Sequence, residues 1–122
     1  EEKAINSMVN NLKYNGLILI DFLNVKKTIS NLVAKENKKI DNIDFNIKRK
    51  FDDNYIIKTI KISDNGNSFE FYEKVRLLTL IDFNVMLEKA NMKIIEVFGD
   101  YALEDFNAKI SDRLIIIAKK IK

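Results

Sequence analysis

The sequence predicts an α/β fold in which helices alternate with sheet strands and an antiparallel meander is inserted between them. Three observations carry this. A helical stripe ends in an Asn-Gly break and runs directly into Leu17-Ile18-Leu19-Ile20, a continuously apolar stretch. Residues 45–77 change to period two and contain Asn65-Gly66, a strong short hairpin signal. The helical period returns at Thr79 and is followed by two more apolar runs with no helix between them.

The elements follow in order. Residues 1–13 form a helix, with Ile5, Met8, Val9 and Leu12 on one stripe and Glu1 and Glu2 at the end that favours negative charge. Tyr14-Asn15-Gly16 breaks it, since Asn and Gly both tolerate positive φ. Residues 17–22 are a strand whose unbroken apolar start expects cover on both faces, as in a parallel sheet. A second helix over 25–36 carries Val25, Ile29, Leu32 and Val33, and the polar stretch 35–42 reads as a loop. Strands over 45–51, 55–63 and 69–77, separated by turns at 52–54 and 64–67, make a three-stranded antiparallel meander. Thr79 and Asp82 fit a capping box, and Phe83, Met86, Leu87 and Ala90 give that helix its apolar face, with Asn91 as its left-handed cap. Strands over 93–101 and 113–119 close the chain. The loop between them is too short for a helical crossover, so they are expected to be antiparallel neighbours.

Composition narrows the chemistry. The chain has 122 residues, 47% of them hydrophobic, which suits one domain with a modest core. It contains no Cys and no His, which excludes a disulfide framework, thiolate or imidazole metal ligands, and Ser-His or Cys-His nucleophiles. No apolar run approaches the length of a membrane span and no secretory leader is visible, so a cytoplasmic setting is expected. The net charge of +3 comes mostly from dispersed Lys interleaved with Asp and Glu, a solvated surface and not a nucleic-acid or membrane patch.

The ordered set of elements resembles the way class I S-adenosylmethionine-dependent methyltransferases end. Leu12-Lys13-Tyr14-Asn15-Gly16 and the apolar residues 17–22 are similar to the family segment leading into the fifth strand. Residues 82–92 look like the helix before the sixth strand. Val97-Phe98-Gly99-Asp100-Tyr101 and residues 111–120 resemble the sixth and seventh strands of a small-molecule subgroup. That subgroup carries an antiparallel insert after the fifth strand ending in a Glu-x-Val-Arg-like stretch, here Glu73-Lys74-Val75-Arg76. The resemblance implies the C-terminal half of a Rossmann-like sheet, its last three strands with the final one antiparallel. Residues 1–37 and 79–122 would belong to that sheet and residues 38–78 to the insert, a substrate or lid subdomain. It also implies S-adenosylmethionine as cofactor and a small-molecule methyl acceptor. The family's acidic residue and Gly-x-Gly after the first strand have no counterpart, since Gly16, Gly66 and Gly99 lie far apart. The cofactor is therefore expected to be held mainly by a missing N-terminal half.

Such enzymes work mostly by holding the acceptor in line with the methyl donor, so the candidates are pocket walls; no catalytic residue is assigned and no metal is expected. Phe22 and Asn24 lie at the C-terminal end of a strand, where open α/β sheets place ligands; the alternatives are core for Phe22 and a helix cap for Asn24. Arg49 and Glu73 interrupt apolar faces of the meander, as cavity-lining groups or as a structural ion pair. Arg76 lies on the meander's other face with Tyr72, and Tyr101 follows the sixth strand; each is a pocket residue or a surface one. The competing function is a non-catalytic α/β module binding a small ligand or a partner. Without its flanking strand, the edge of residues 17–22 is expected to pair with a second copy and form a homodimer, or to aggregate.

Overall fold

A computed structural model describes residues 2–122. They divide into two compact units, residues 2–28 with Leu78–Lys122, and Ile29–Leu77. Glu1, expected in the first helical turn, lies outside the described residues.

The first unit begins with α1 (Glu2–Asn10), which buries Ile5 and Val9, two members of the expected stripe; Met8 is exposed. The Lys120 ammonium closes this helix by donating to the carbonyls of Val9 and Leu12 at 2.8 and 2.7 Å. Asn15 takes the positive φ (66°) of the break. Gly16 serves by lack of bulk, because a Cβ there would lie 2.6 Å from Leu12 Cγ.

The sheet that follows has the order β1-β7-β6, from β1 (Leu17–Leu23), β6 (Met92–Phe98) and β7 (Arg113–Lys120). Both outer strands run antiparallel to β7. The pairing of the last two strands is as expected. Among the described residues every pairing is antiparallel and β1 is bonded only to β7, which leaves its other edge open, as expected for a strand without its flanking neighbour. Within these residues only one face of β1 is covered. Ile18, Ile20 and Phe22 pack on the core, whereas Leu17 and Leu19 are 55% and 62% exposed. A strand turns alternate side chains to opposite faces, so its apolar residues all become buried only where both faces are covered.

The covered face rests on α1 and on α3 (Leu80–Lys89). The α3 N-terminus carries the predicted capping box: the Thr79 hydroxyl accepts from the Asp82 N–H, and the Asp82 carboxylate accepts from the Thr79 N–H at 2.9 Å. Phe83, Met86, Leu87 and Ala90 are buried, as their spacing predicts. Asn91 takes a positive φ of 61°. A bulge between Ile94 and Glu96 turns Ile95 outward, so β6 is less continuously buried than its sequence suggests.

The second unit is a four-stranded antiparallel meander, β2 (Lys35–Ile40), β3 (Ile43–Asp52), β4 (Tyr55–Asp64) and β5 (Asn67–Arg76). Its last three strands are those expected. The first replaces both the predicted loop over 35–42 and the end of the second helix, which stops early as α2 (Val25–Ser30). Lys35–Ile40 is polar on both faces and shows no strand pattern; its pairing with β3, from Lys35 opposite Lys48 to Ile40 opposite Ile43, makes it a strand. Asp41 and Asn42 supply the two positive φ angles (51° and 65°) of a tight hairpin turn, a role these residues fill readily. Asn65 and Gly66 (48° and 82°) do the same between β4 and β5. One face of this sheet carries Ile47, Ile56, Ile60, Phe69 and Phe71, and the other is rich in Lys.

Candidate functional site

The chain's best-ordered polar arrangement lies where β1 ends. The Asn24 main-chain carbonyl accepts from the Thr28 N–H at 2.9 Å, so Asn24 holds the cap position of α2. Its side chain does something else. The amide nitrogen donates to the carbonyls of Ala108 and Ser111 at 3.0 and 2.8 Å, and the residue is only 3% exposed. It is not a side-chain cap: from the margin of an apolar recess it fastens the β6–β7 loop, residues 99–112.

That loop is ordered from within as well. The Asp100 carboxylate accepts from the Ala102 and Glu104 N–H groups, and the Ser111 hydroxyl accepts from the Asn107 N–H at 2.7 Å. Gly99 donates its N–H to the Glu104 carbonyl and accepts from the Arg113 N–H, both at 2.8 Å. A Cβ at Gly99 would overlap the Ser111 hydroxyl, so only glycine fits this crossing. Lys27 adds a donation to the Ile110 carbonyl at 3.2 Å and an ion pair with Asp112.

A second polar group forms on the open face of the sheet. Antiparallel register sets Leu23 opposite Arg113 and Asp21 opposite Ile115, which makes Asp21 and Arg113 diagonal neighbours on one face. The Asp21 carboxylate accepts from Arg113 Nε at 3.0 Å and from the Tyr101 hydroxyl at 2.7 Å. The Tyr101 hydrogen bond holds the Asp21 carboxyl below its ordinary value against burial, which raises it, and Arg113 adds to the lowering. The same bond pushes the Tyr101 phenol up. Tyr101 remains 72% exposed and reaches the sheet's end by its hydroxyl.

Between the loop and the start of α3 lies a recess of about 310 Å³, walled chiefly by Leu78, Leu80, Ile81, Phe106, Ala108 and Leu114. Its volume is at the small end of ligand-sized cavities. The polar groups at its margin are engaged elsewhere: Asn24 with the loop, Thr79 with Asp82. Phe22 packs edge-to-face on Phe83, with ring centroids 5.3 Å apart, which is the core role.

Arg49, Glu73 and Arg76 belong to the meander and must be described there. Arg49 donates to the Glu36 carboxylate at 3.0 Å and to the Val33 carbonyl at 3.4 Å. Lys38, and then Arg49, lower the Glu36 carboxyl below its ordinary value. The ion pair expected of Arg49 therefore exists, with Glu36 as its partner. Glu73 lies two strands away, with Lys58 between them in register, so Arg49 and Glu73 do not meet. Arg49 also borders a groove of about 440 Å³ that includes Lys48, Ile57 and Tyr72 but neither Glu73 nor Arg76. Arg76 is exposed at the end of β5, opposite Tyr55.

The sequence places Asp21 at the ligand-presenting end of its strand but gives it no role, and Lys27, Phe106, Ala108 and Arg113 are not singled out. A signal existed for Asp21, the one charge in an apolar strand; the others acquire their places only through strand register and the course of the loop. Among the described residues no grouping of acidic side chains could hold a metal ion, and no helix is long and apolar enough to cross a membrane.

No protein-family model matches the sequence, and no curated protein matches it. Solved structures do. An S-adenosylmethionine-dependent methyltransferase from Clostridium acetobutylicum superposes with a TM-score of 0.78 at 17% identity, covering 99% of this chain and 51% of the other. The CcbJ methyltransferase from Streptomyces caelestis gives 0.75 at 14% identity, covering 98% and 52%. The sugar N-methyltransferase KedS8 from a Streptoalloteichus species gives 0.63 at 11%, covering 99% and 49%. At such identities the likeness is one of fold. This chain has the fold expected for the C-terminal half of a class I S-adenosylmethionine-dependent methyltransferase, and it spans about half the length of the structures it matches.

Proposed function

We propose that the chain is the acceptor-side half of an enzyme that transfers a methyl group from S-adenosylmethionine to a small molecule. The observation that carries this is the superposition of nearly the whole chain on half of each of several methyltransferases, meander included. The small-molecule acceptor is supported by the neighbours named as acting on sugars, KedS8 and the amino pentose methyltransferase CalS10. When bound, S-adenosylmethionine would supply the methyl group: its S–CH3 bond would break with the electron pair staying on sulfur, as S-adenosylhomocysteine, while the acceptor's lone pair took the methyl and the acceptor gave up a proton to solvent. The protein's part is to hold the two reactants in line and exclude water. Asp21, Asn24 and Tyr101 frame the C-terminal end of β1, where an α/β sheet presents ligands. No glycine cluster is available to approach a nucleotide, so the cofactor is bound mainly by polypeptide outside residues 1–122.

Calorimetric titration with S-adenosylmethionine tests the division of labour. The intact protein should bind it, and residues 1–122 alone should show no measurable heat. Tight binding by residues 1–122, or none by the intact protein, would overturn the reading. The unpaired edge of β1 is the place where the remaining sheet joins, and in isolated residues 1–122 it pairs with a second copy. Light scattering should report a dimer or larger species for residues 1–122; a clean monomer counts against that pairing.

A further inference from the structure

Asn24 is the one polar residue buried among the described residues, and its placement has a chemical logic. A side-chain amide offers two N–H donors, and both are used on main-chain carbonyls of residues more than eighty positions away in sequence. Those carbonyls, of Ala108 and Ser111, bracket the second half of the β6–β7 loop. The loop's inner bonds organise residues 99–107 and, through Asn107, residues 109–111, but do not themselves attach residues 106–108 to β1. Phe106 and Ala108 form one wall of the apolar recess, and the sheet and the α3 start form the rest. Lys27 reaches the loop at Ile110 and Asp112, beyond Ala108.

We propose that Asn24 is a positioning residue: by holding the Ala108 and Ser111 carbonyls it sets Phe106 and Ala108 as the outer wall of this recess. The recess then takes an uncharged, apolar part of the methyl acceptor. This deepens the proposed function by naming what shapes its acceptor side, and it rests on that reading only for the identity of the ligand.

Four variants of the intact protein, each followed by NMR, test it. In Asn24→Ala the amides of residues 102–111 should exchange about tenfold faster or more, the factor expected from losing two hydrogen bonds, with β7 amides unmoved. Leu80→Ala alters the opposite wall and leaves both Asn24 bonds in place, so loop exchange should match the parent. Asn24→Asp is nearly the same shape but presents an anion to two carbonyl oxygens. Its Ala108 and Ser111 amide resonances should titrate with a midpoint above the ordinary carboxylate range, the loop closing as the carboxyl gains a proton and becomes a donor. Benzene, a probe without charge or hydrogen bonds, should shift the methyl resonances of Leu78, Leu80 and Leu114 in the parent and do so much less in Asn24→Ala. The conservative Lys27→Arg should keep the loop protected.

Unchanged loop exchange in Asn24→Ala, equal loosening in Leu80→Ala, or no titration of the Asn24→Asp resonances would overturn the positioning role. Absence of benzene shifts in the parent would overturn the apolar recess. None of these readouts uses S-adenosylmethionine, so a failure of cofactor binding would sink the proposed function and leave this inference standing.

Discussion

The two units solve the problem of a sheet in opposite ways. In the first, one interior cluster gathers Ile5, Val9, Leu78, Phe83, Met86, Leu87, Met92, Leu114 and Ile116 from two helices and the sheet strands. In the second, only Ile47, Ile56, Ile57 and Leu77 are buried, while Phe51, Phe69 and Phe71 stand half open to solvent. The first unit is held by packing. The second is held by ladder hydrogen bonds and by turns whose residues accept positive φ. The same substitution should therefore cost different amounts in the two units, and backbone changes should matter most where packing matters least.

The largest expected effect lies in the packed unit. Leu87 is fully buried, so Leu87→Ala should lower unfolding free energy by about 2–5 kcal/mol, the range for a buried leucine truncated in a core that relaxes incompletely. The partly exposed Ile60→Ala of the meander should cost well under half of that. Urea denaturation of the two variants measures the contrast, and equal losses would erase it.

Asn24→Ala comes next. It leaves two loop carbonyls without their donors beside a buried site, at a cost of about 1–3 kcal/mol. A pure pocket role for Asn24 would leave the melting temperature intact, and a structural one would lower it. The buried, doubly bonded side chain favours the structural outcome: the melting temperature should fall. Glu73→Gln, at an exposed position, should leave it unchanged.

Third is the meander's own dependence on backbone. Gly66 has a φ of 82° and nothing within 4 Å of where a Cβ would be. Gly66→Ala should cost about 1 kcal/mol, from backbone strain alone and without any clash. Asn65→Gly at the neighbouring turn position (φ 48°) should be nearly neutral. If Gly66→Ala were neutral too, the claim that turns carry this unit would lose its support.

What could be read in the sequence divides along the same line. Helix α3 was legible in full because cap, apolar spacing and terminal Asn agree with one another. The last two strands were legible because the loop between them leaves little topological choice. Strand β2 was not, since Lys-Glu-Asn-Lys-Lys-Ile has no alternation and Ile40 as its single strand-forming residue, and hydrogen bonds to β3 decide its state. The open edge of residues 17–22 was legible from the apolar run and the missing flanking strand, but the run does not say which face the described residues cover: Ile18, Ile20 and Phe22 pack on the core and Leu17 and Leu19 do not. The site shows the same limit. Asn24 drew attention by position, yet its partners lie more than eighty residues away and no local pattern announces them.

The smallest expected effect concerns the charges at the sheet's open face, and its sign follows from the geometry. Asp21 is held below its ordinary carboxyl value in the folded protein, chiefly by Tyr101 and then by Arg113. Its contribution to stability is therefore fully present above the unfolded value of about 3.9 and is lost as pH falls through the folded one. Tyr101 is shifted the other way, so its contribution is present below about 10 and is lost as pH rises through its folded value. Tyr101→Phe removes the alkaline limb altogether. It should also let the Asp21 carboxyl rise toward its ordinary value, more than Arg113→Lys does, because the phenol's hydrogen bond is the larger cause. Carbon-detected NMR titration of the Asp21 carboxyl in the three proteins separates the two contributions. An Asp21 midpoint that follows Arg113→Lys and ignores Tyr101→Phe would mean that the exposed phenol touches the carboxylate without ordering it.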